Sequence, residues 1–378
     1  MLTTTSCPDH DLVAGLDTPL HVLREDGTRG PEPLLDPLLR DVDREMLTGL
    51  YLDMAVVRAI DDEAVALQRQ GELGLWPPLR GQEAAQIGLG RALPETDFLF
   101  TSYRENALAW CRGVEPGEML SVWRGTTLSG WDPFARHMAT PQVMIGAQAH
   151  HAVGYAMAAQ AQSGGDIAVT CFGDGALSQG DVNEAMVFAA SFHAPVLFFC
   201  QNNHYAISEP VEVQATVPIA LRPTGFGIPS LRVDGNDVLA VRAAALYAAR
   251  HLRSGKGPMF IEAVTYRLGP HTTSDDPTRY RDEEELRRWR RRCPLGRLER
   301  HLEQLGAPVE EVRAEAERRS REATTAMREA VAALPSPAPE TMFEHVLSTE
   351  HPGLARQREE FRAFTASLAP EQTEGAAA

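Results

Sequence analysis

One stretch in the middle of the chain, residues 167–208, constrains the fold more than any other. It opens with an apolar, charge-free run, Ile167–Phe172, that ends abruptly at a Gly-Asp-Gly turn, as a buried parallel strand does. Across Asp181–Phe192 the apolar residues recur at three- and four-residue steps, which predicts a helix with one packed face. A second apolar run, Val196–Cys200, follows Pro195. The order strand, helix, strand predicts the βαβ unit of a parallel sheet.

Polar side chains follow both predicted strands at the point where each strand ends. Asp174 comes directly after the first strand, and Asn202 and Asn203 come after the second. Because ligands of parallel sheets bind beyond the carboxyl ends of the strands, we expect a carboxylate and a carboxamide side by side at this edge. Magnesium takes oxygen ligands, usually a few from the protein together with the phosphates of a substrate. The same residues also suit a plainer role, in which Asp174 caps the helix and Asn203 forms a turn.

The residues of this stretch resemble those of a known family. The Gly-Asp-Gly turn followed by Asn-Asn is similar to the thiamin-diphosphate signature. The whole string Gly173–Ser208 resembles the alpha subunit of the decarboxylating component of 2-oxo acid dehydrogenase complexes, and the resemblance extends over about residues 46–350. It implies an α/β thiamin-diphosphate-binding fold, in which a parallel sheet is flanked by helices.

The resemblance also implies roles for residues spread along the chain. Asp174, Asn203 and the main-chain carbonyl of Tyr205 are implied to hold Mg²⁺. His271 lies in a loop that in this family contacts the diphosphate and faces the reacting centre, so it is the implied catalytic residue. A loop histidine can also simply face solvent, and near a phosphate we expect it to lean towards the cation. The implied cofactor-binding residues are Tyr103, Arg104, Val143, Ile145, Asp174, Gly175, Ala176, Asn203 and His271.

Three of the implied roles have a simple chemical basis. The guanidinium of Arg104 can bind a diphosphate through two parallel hydrogen bonds. Ile145 occupies the position of the apolar wedge that lies under the bent cofactor in the family. Arg267 is expected to support the loop that carries His271.

Some positions depart from the family pattern. Ser102 stands where a Gln is usual and Gln201 where an Arg is usual, so one phosphate-facing cation is missing. The loop Gly113–Pro141 is shortened, and its candidate histidine, His137, is not assigned a role. The segment Gly81–Glu83 resembles the GQE element that lies near cofactor and subunit contacts in the family, although Glu83 could also be only an acid in a first helical turn.

The reaction implied by the family is oxidative decarboxylation of a 2-oxo acid, followed by transfer of the acyl group to a lipoyl arm of the acyltransferase component. The loop after His271 and the leader are closer to the branched-chain type, with pyruvate or acetoin enzymes as the alternative. The family takes the carboxylate that activates the cofactor from a separate beta subunit, which implies a complex of two alpha and two beta chains. A non-catalytic regulatory subunit that binds the beta chain is the alternative from another class.

The composition shifts along the chain suggest three parts. Residues 1–45, rich in Pro, Gly, Asp and Thr, read as an N-terminal arm that is either extended on a partner or partly disordered. Residues 46–334 form the predicted thiamin-diphosphate-binding domain. Residues 335–378 form the predicted C-terminal helical extension and tail, which begins with a Pro-rich spacer.

Charge and hydrophobicity exclude several classes of function. The net charge of -16 argues against nucleic-acid binding, and the basic run Arg287–Arg292 is flanked by acids, as on a solvated helix face. No apolar run approaches the roughly 18 residues of a membrane span. The first twenty residues lack the features of a signal or transit peptide, so we expect a cytoplasmic protein. The five cysteines contain no C-x-x-C pair, which predicts reduced thiols.

Overall fold

A six-stranded parallel sheet forms the centre of the protein. The computed structural model describes residues 13–162, 164–344 and 346–368. The strands lie in the order β1-β7-β8-β4-β3-β2, and β5 and β6 form a separate antiparallel hairpin. This confirms the predicted parallel sheet. The strands are β1 (Val13–Ala14), β2 (Phe98–Phe100), β3 (Ala168–Gly173), β4 (Val196–Asn202), β5 (Tyr205–Ala206), β6 (Glu209–Pro210), β7 (Ser230–Asp234) and β8 (Met259–Val264).

Helices cover the sheet, as predicted for this fold class. Along the described part of the chain the helices are α1 (Arg44–Arg69), α2 (Glu83–Gly90), α3 (Asn106–Cys111), α4 (Pro116–Arg124), α5 (Ala147–Ala161), α6 (Gly180–Phe192), α7 (Val211–Gln214), α8 (Val238–Arg253), α9 (Glu283–Arg291), α10 (Pro294–Gln304), α11 (Val309–Ala333) and α12 (Pro352–Ser367), and those before residue 334 belong to the same compact unit as the sheet. None of the helices in the described part of the chain is both long and apolar enough to cross a bilayer.

Alternate side chains of the central strand β4 enter two different hydrophobic cores. Leu197 and Phe199 pack into the core that contains α1, α2 and α8. Phe198 and Cys200 pack on the opposite face with α5 and α6. All of β4 is buried, which explains why its sequence is a continuous apolar run rather than an alternating one.

The described part of the predicted N-terminal arm packs on its own chain. β1 pairs with β7, and Val22 and Leu23 are buried in the main core. Their backbone N–H groups donate to Asp237 Oδ2 at 2.7 and 2.6 Å. For residues 13–45 the expectation of a partly disordered leader therefore differs from the structure, whereas contact of this segment with a partner stays a prediction. Residues 1–12, with Cys7, lie outside the described residues.

The chain divides into two compact units, with the boundary between Ala333 and Leu334. Within the second unit a 3₁₀ turn, Pro339–Phe343, precedes α12. In the first unit the basic run forms the end of α9, and its arginines are exposed while Trp289 is buried. The cysteines of the described residues are free thiols, as predicted: Cys111, Cys171, Cys200 and Cys293.

Candidate active site

A cavity of about 620 Å³ opens at the carboxyl edge of the sheet, where β2, β3 and β4 end. The strand ends supply the turn after β2, the Gly-Asp-Gly turn at the end of β3 and Asn203 after β4, and the loop after β8 closes one side, whereas Asn202 lies within β4 and donates to Glu262. All the residues assigned from sequence line this one cavity, although their contacts with a cofactor remain predictions. They are Tyr103, Arg104, Val143, Ile145, Asp174, Gly175, Ala176, Asn203, Tyr205 and His271.

Asp174 is buried at the floor of the cavity and does not cap the following helix. Its Oδ1 accepts from the backbone N–H of Asn203 at 3.2 Å, and its Oδ2 accepts from Gln214 Nε2 at 2.9 Å. The cap position of α6 is Gln179, which makes no side-chain cap bond. Burial raises the pKa of Asp174 to about 6, which marks a carboxylate with little compensating charge.

The segment that carries the other implied metal ligands is held in an unusual backbone conformation. Asn203 Oδ1 accepts from the backbone N–H of Tyr205 at 3.3 Å, so the turn expected in the plainer interpretation is present. His204 and Ile207 have φ angles of 72° and 58°, which side-chain-bearing residues adopt rarely. Arg267 Nη1 donates to the carbonyl of Tyr205 at 3.1 Å and Nη2 to that of Ile207 at 2.6 Å, which fixes this segment.

The donor set fits a hard divalent cation. One carboxylate, from Asp174, one carboxamide, from Asn203, and one main-chain carbonyl, from Tyr205, converge on the cavity. Hard cations such as Mg²⁺ take few protein oxygens and leave positions for phosphates. Among the described residues no group of three His, Cys, Asp or Glu side chains could hold a metal, so this mixed set is the candidate.

The guanidinium groups of Arg104 and Arg267 surround His271 in the same cavity. Arg104 donates to the carbonyl of Pro78 at 2.7 Å and to that of His271 at 3.0 Å. His271 Nδ1 lies 3.2 Å from Arg104 Nη2 and 3.4 Å from Arg267 Nη1. Burial, Arg104 and Arg267 together lower the pKa of His271 to about 3. The ring is therefore neutral in this structure, because two cations already surround it, and the expected lean towards the cation beside a phosphate stays a prediction.

Asp275 holds the loop that carries His271. Its Oδ2 accepts from the backbone N–H of His271 at 2.7 Å and from the hydroxyl of Tyr280 at 2.5 Å. Elsewhere in the lining, the exposed Val143 and Ile145 present apolar side chains to the cavity, just before α5 begins. The site therefore combines a polar, charged side with an apolar one.

Several contacts in the site were not predicted from sequence. Gln201 is buried, where its Nε2 donates to Glu105 Oε1 at 2.7 Å and its Oε1 accepts from Gln86 Nε2 at 3.1 Å. Burial raises the pKa of Glu105. The hydrogen bond between Gln214 and Asp174 could not be predicted from the residues around Gln214. This residue lies in the short helix α7, which comes after the thiamin-diphosphate signature. His137 does not line the cavity, and its ring packs against Phe98.

A parallel sheet flanked by helices, with a cavity at its carboxyl edge, is the architecture of an α/β enzyme that binds its ligand beyond the ends of the strands. The family model described as "Dehydrogenase E1 component" matches residues 51–340, and the chain belongs to this family, whose members use thiamin diphosphate. The predicted family is thus confirmed.

Relatives of known name resemble this chain over most of their length. The chain is 45% identical, over 91% of its length and 94% of the relative, to the 3-methyl-2-oxobutanoate dehydrogenase subunit alpha of Mycobacterium tuberculosis. It is 38% identical, over 74% of its length and 76% of the relative, to the pyruvate dehydrogenase E1 component subunit alpha of Staphylococcus aureus. The corresponding protein of Staphylococcus epidermidis is 37% identical over 78% of this chain and 80% of the relative.

Proposed function

We propose that this chain is the alpha subunit of a branched-chain 2-oxo acid dehydrogenase. It decarboxylates acids such as 3-methyl-2-oxobutanoate with thiamin diphosphate and Mg²⁺, and transfers the acyl group to a lipoyl arm of an acyltransferase component. The observation that carries the proposal is that Asp174, Asn203 and Tyr205 line the same cavity as Arg104 and His271. The greater similarity to the mycobacterial relative favours the branched-chain substrate.

The protein's part in the reaction is to bind and orient the cofactor. When bound, thiamin diphosphate supplies the carbon nucleophile and the electron sink for decarboxylation. Asp174, Asn203 and the carbonyl of Tyr205 would hold Mg²⁺, and Arg104 would hold the diphosphate. Gly175 is required for space, because a Cβ there would lie 2.8 Å from that of Ala206.

His271 can serve as a neutral hydrogen-bond donor at the reacting centre. Its Nδ1 lies within 3.2 Å of an Arg104 N–H, so Nδ1 accepts and the hydrogen of the neutral ring sits on Nε2. An Nε2–H group can donate to the carbonyl or carboxylate oxygen of a 2-oxo acid. The neutral form also avoids a third cation next to Arg104 and Arg267.

A beta subunit must complete the site. The carboxylates that line the cavity are Asp174, which we assign to the metal, and Glu105, which is bonded to Ser102 and Gln201. Neither is free to activate the cofactor's aminopyrimidine ring, so that carboxylate would come from the partner. A heterotetramer of two alpha and two beta chains follows as part of the proposal.

The test uses this chain co-purified with its beta subunit. Thiamin diphosphate is titrated calorimetrically with and without Mg²⁺, and decarboxylation of 3-methyl-2-oxobutanoate is then compared with that of pyruvate. Metal-dependent binding and a higher kcat/KM for the branched acid are expected. A preference for pyruvate would select the pyruvate-type alternative that the staphylococcal relatives represent. Absence of binding would overturn the proposal in favour of a non-catalytic subunit.

A further inference from the structure

Gln201 stands where an Arg is usual in the family, so the cavity has one cationic donor to a diphosphate fewer than the family pattern. The side chain of Gln201 is only 1% exposed, and its amide is committed to Glu105 and Gln86. Gln86 in turn donates to the carbonyl of Arg104 at 3.1 Å and accepts from the N–H of Ala107. This buried network of hydrogen bonds fixes the turn after β2, and both polar atoms of the Gln201 side chain belong to it.

A different glutamine presents an unused donor to the same cavity. Gln82 lines the cavity and is 1% exposed. Its Oε1 accepts from Asn203 Nδ2 at 3.3 Å, which sets the orientation of the amide. Its Nε2 is buried and has no hydrogen-bond partner within the parts of the chain that the structure describes. Buried amide donors are nearly always paired, so this atom marks the place of an absent acceptor.

We propose that Gln82 donates from Nε2 to a diphosphate oxygen of the cofactor and supplies the donor that position 201 lacks. The inference rests on the proposed function, because the acceptor is the cofactor's diphosphate. Its basis is the contact with Asn203: a metal held by Asn203 would bring phosphate oxygens next to this residue, and Gln82 is hydrogen-bonded to it. A neutral amide here also accommodates a phosphate without adding a charge next to Asp174.

The experiment compares two substitutions at position 82 in the alpha–beta assembly. Gln82→Met removes both the donor and the acceptor for Asn203, whereas Gln82→Glu keeps an acceptor for Asn203 and loses the donor. Calorimetric titration uses thiamin diphosphate with Mg²⁺ and, separately, inorganic pyrophosphate with Mg²⁺. Both variants should bind both ligands at least about tenfold more weakly than the unsubstituted protein, as expected for one hydrogen bond to a charged acceptor.

The matched control is Gln70→Met, because Gln70 is exposed and does not line the cavity. Its affinity should stay within about twofold of the unsubstituted protein, as for other surface changes. Both substitutions at position 82 should lower the melting temperature of the cofactor-free assembly relative to the control, because Gln82→Met leaves the buried Nδ2 of Asn203 without its acceptor and Gln82→Glu buries a charge. A lower melting temperature accompanied by normal pyrophosphate affinity would mean a structural role only, and would overturn the proposal.

A double substitution tests the compensation itself. With Gln201→Arg in place, the loss caused by Gln82→Met should shrink, since the two donors would serve the same acceptor. An equal loss in both backgrounds would overturn the compensation. If the unsubstituted assembly binds neither ligand, the proposed function fails. If it binds both and the Gln82→Met protein binds them equally well, only the role of Gln82 fails.

Discussion

Replacing Arg267 by Met should weaken both the fold and the cofactor site. Arg267 is 1% exposed and donates to the carbonyls of Tyr205 and Ile207 and to the hydroxyl of Tyr280, at 3.1, 2.6 and 3.1 Å. Methionine fills a similar volume but leaves the carbonyl of the buried Tyr205 and that of the exposed Ile207 without these donors. Hydrogen bonds from charged donors contribute about 1.5–3 kcal/mol each, so the loss of the two bonds to carbonyls amounts to roughly 3–6 kcal/mol.

Part of this loss of folding stability is offset, because the burial of the Arg267 charge is itself unfavourable. Burial, and next the charge of Arg104, lower the pKa of Arg267 to about 10. Removing a desolvated cation relieves that penalty, which leaves a net destabilisation of about 2–3 kcal/mol. Release of the strained backbone at Ile207 should also move the Tyr205 carbonyl, so Mg²⁺-dependent affinity for thiamin diphosphate should fall at least about tenfold.

Urea denaturation and calorimetry measure the two effects separately. The matched control is Arg279→Met, since Arg279 lies in the same loop but is exposed. Arg267→Lys keeps the charge but offers a single donor atom. Its denaturation midpoint and its cofactor affinity should lie between those of Arg267→Met and Arg279→Met. If the Arg267→Met protein has the denaturation midpoint and cofactor affinity of the control, then Arg267 neither supports the strained segment nor positions the metal ligand.

Three further changes test other parts of the structure. Asp174→Ala should abolish Mg²⁺-dependent binding of thiamin diphosphate in calorimetry, whereas the exposed Asp166→Ala should not; retained binding would refute the metal assignment. The pKa of His271 is lowered from 6.5 to about 3, so as the pH falls below 6.5 the unfolded chain takes up a proton that the folded ring does not, and stability is lost. His271→Asn should reduce the loss of unfolding free energy between pH 7 and pH 5 by about 1 kcal/mol, after allowance for solvent screening, and equal losses in urea denaturation would contradict this. Phe198→Ala should lower the free energy of unfolding by about 3–5 kcal/mol, because Phe198 is fully buried between β4 and the α5–α6 layer; a loss below about 1 kcal/mol would show that the core collapses around the cavity.

The central βαβ unit could be predicted because its signals are local. An apolar run as continuous as Val196–Cys200 is typical of a strand buried on both faces, and the turn before α6 is marked by glycines. The convergence of Asp174 and Asn203 followed from topology alone, since neighbouring parallel strands end at one edge. The family resemblance then extended the site to Arg104 and His271.

The contacts that sequence could not predict are those between distant residues. β1 has only two residues, and its pairing depends on β7, so its own sequence carries no strand pattern. Gln214 lies in a helix of four residues, and nothing near it indicates a bond with Asp174. The inward orientation of Gln201 depends on Glu105, which is 96 positions away along the chain. The neutral state of His271 likewise depends on two arginines brought together by folding.

The long-range pairing of the N-terminal segment has a consequence for how the protein is made. Val22 and Asp237, which share a hydrogen bond, are 215 positions apart, and β1 pairs only with β7. Because synthesis runs from the N-terminus, this segment leaves the ribosome long before its binding place exists. The β3–α6–β4 unit needs only its own neighbours and can form much earlier. Residues 13–23 are therefore among the last to join the sheet, and until then the apolar Val22 and Leu23 are exposed to solvent and to chaperones.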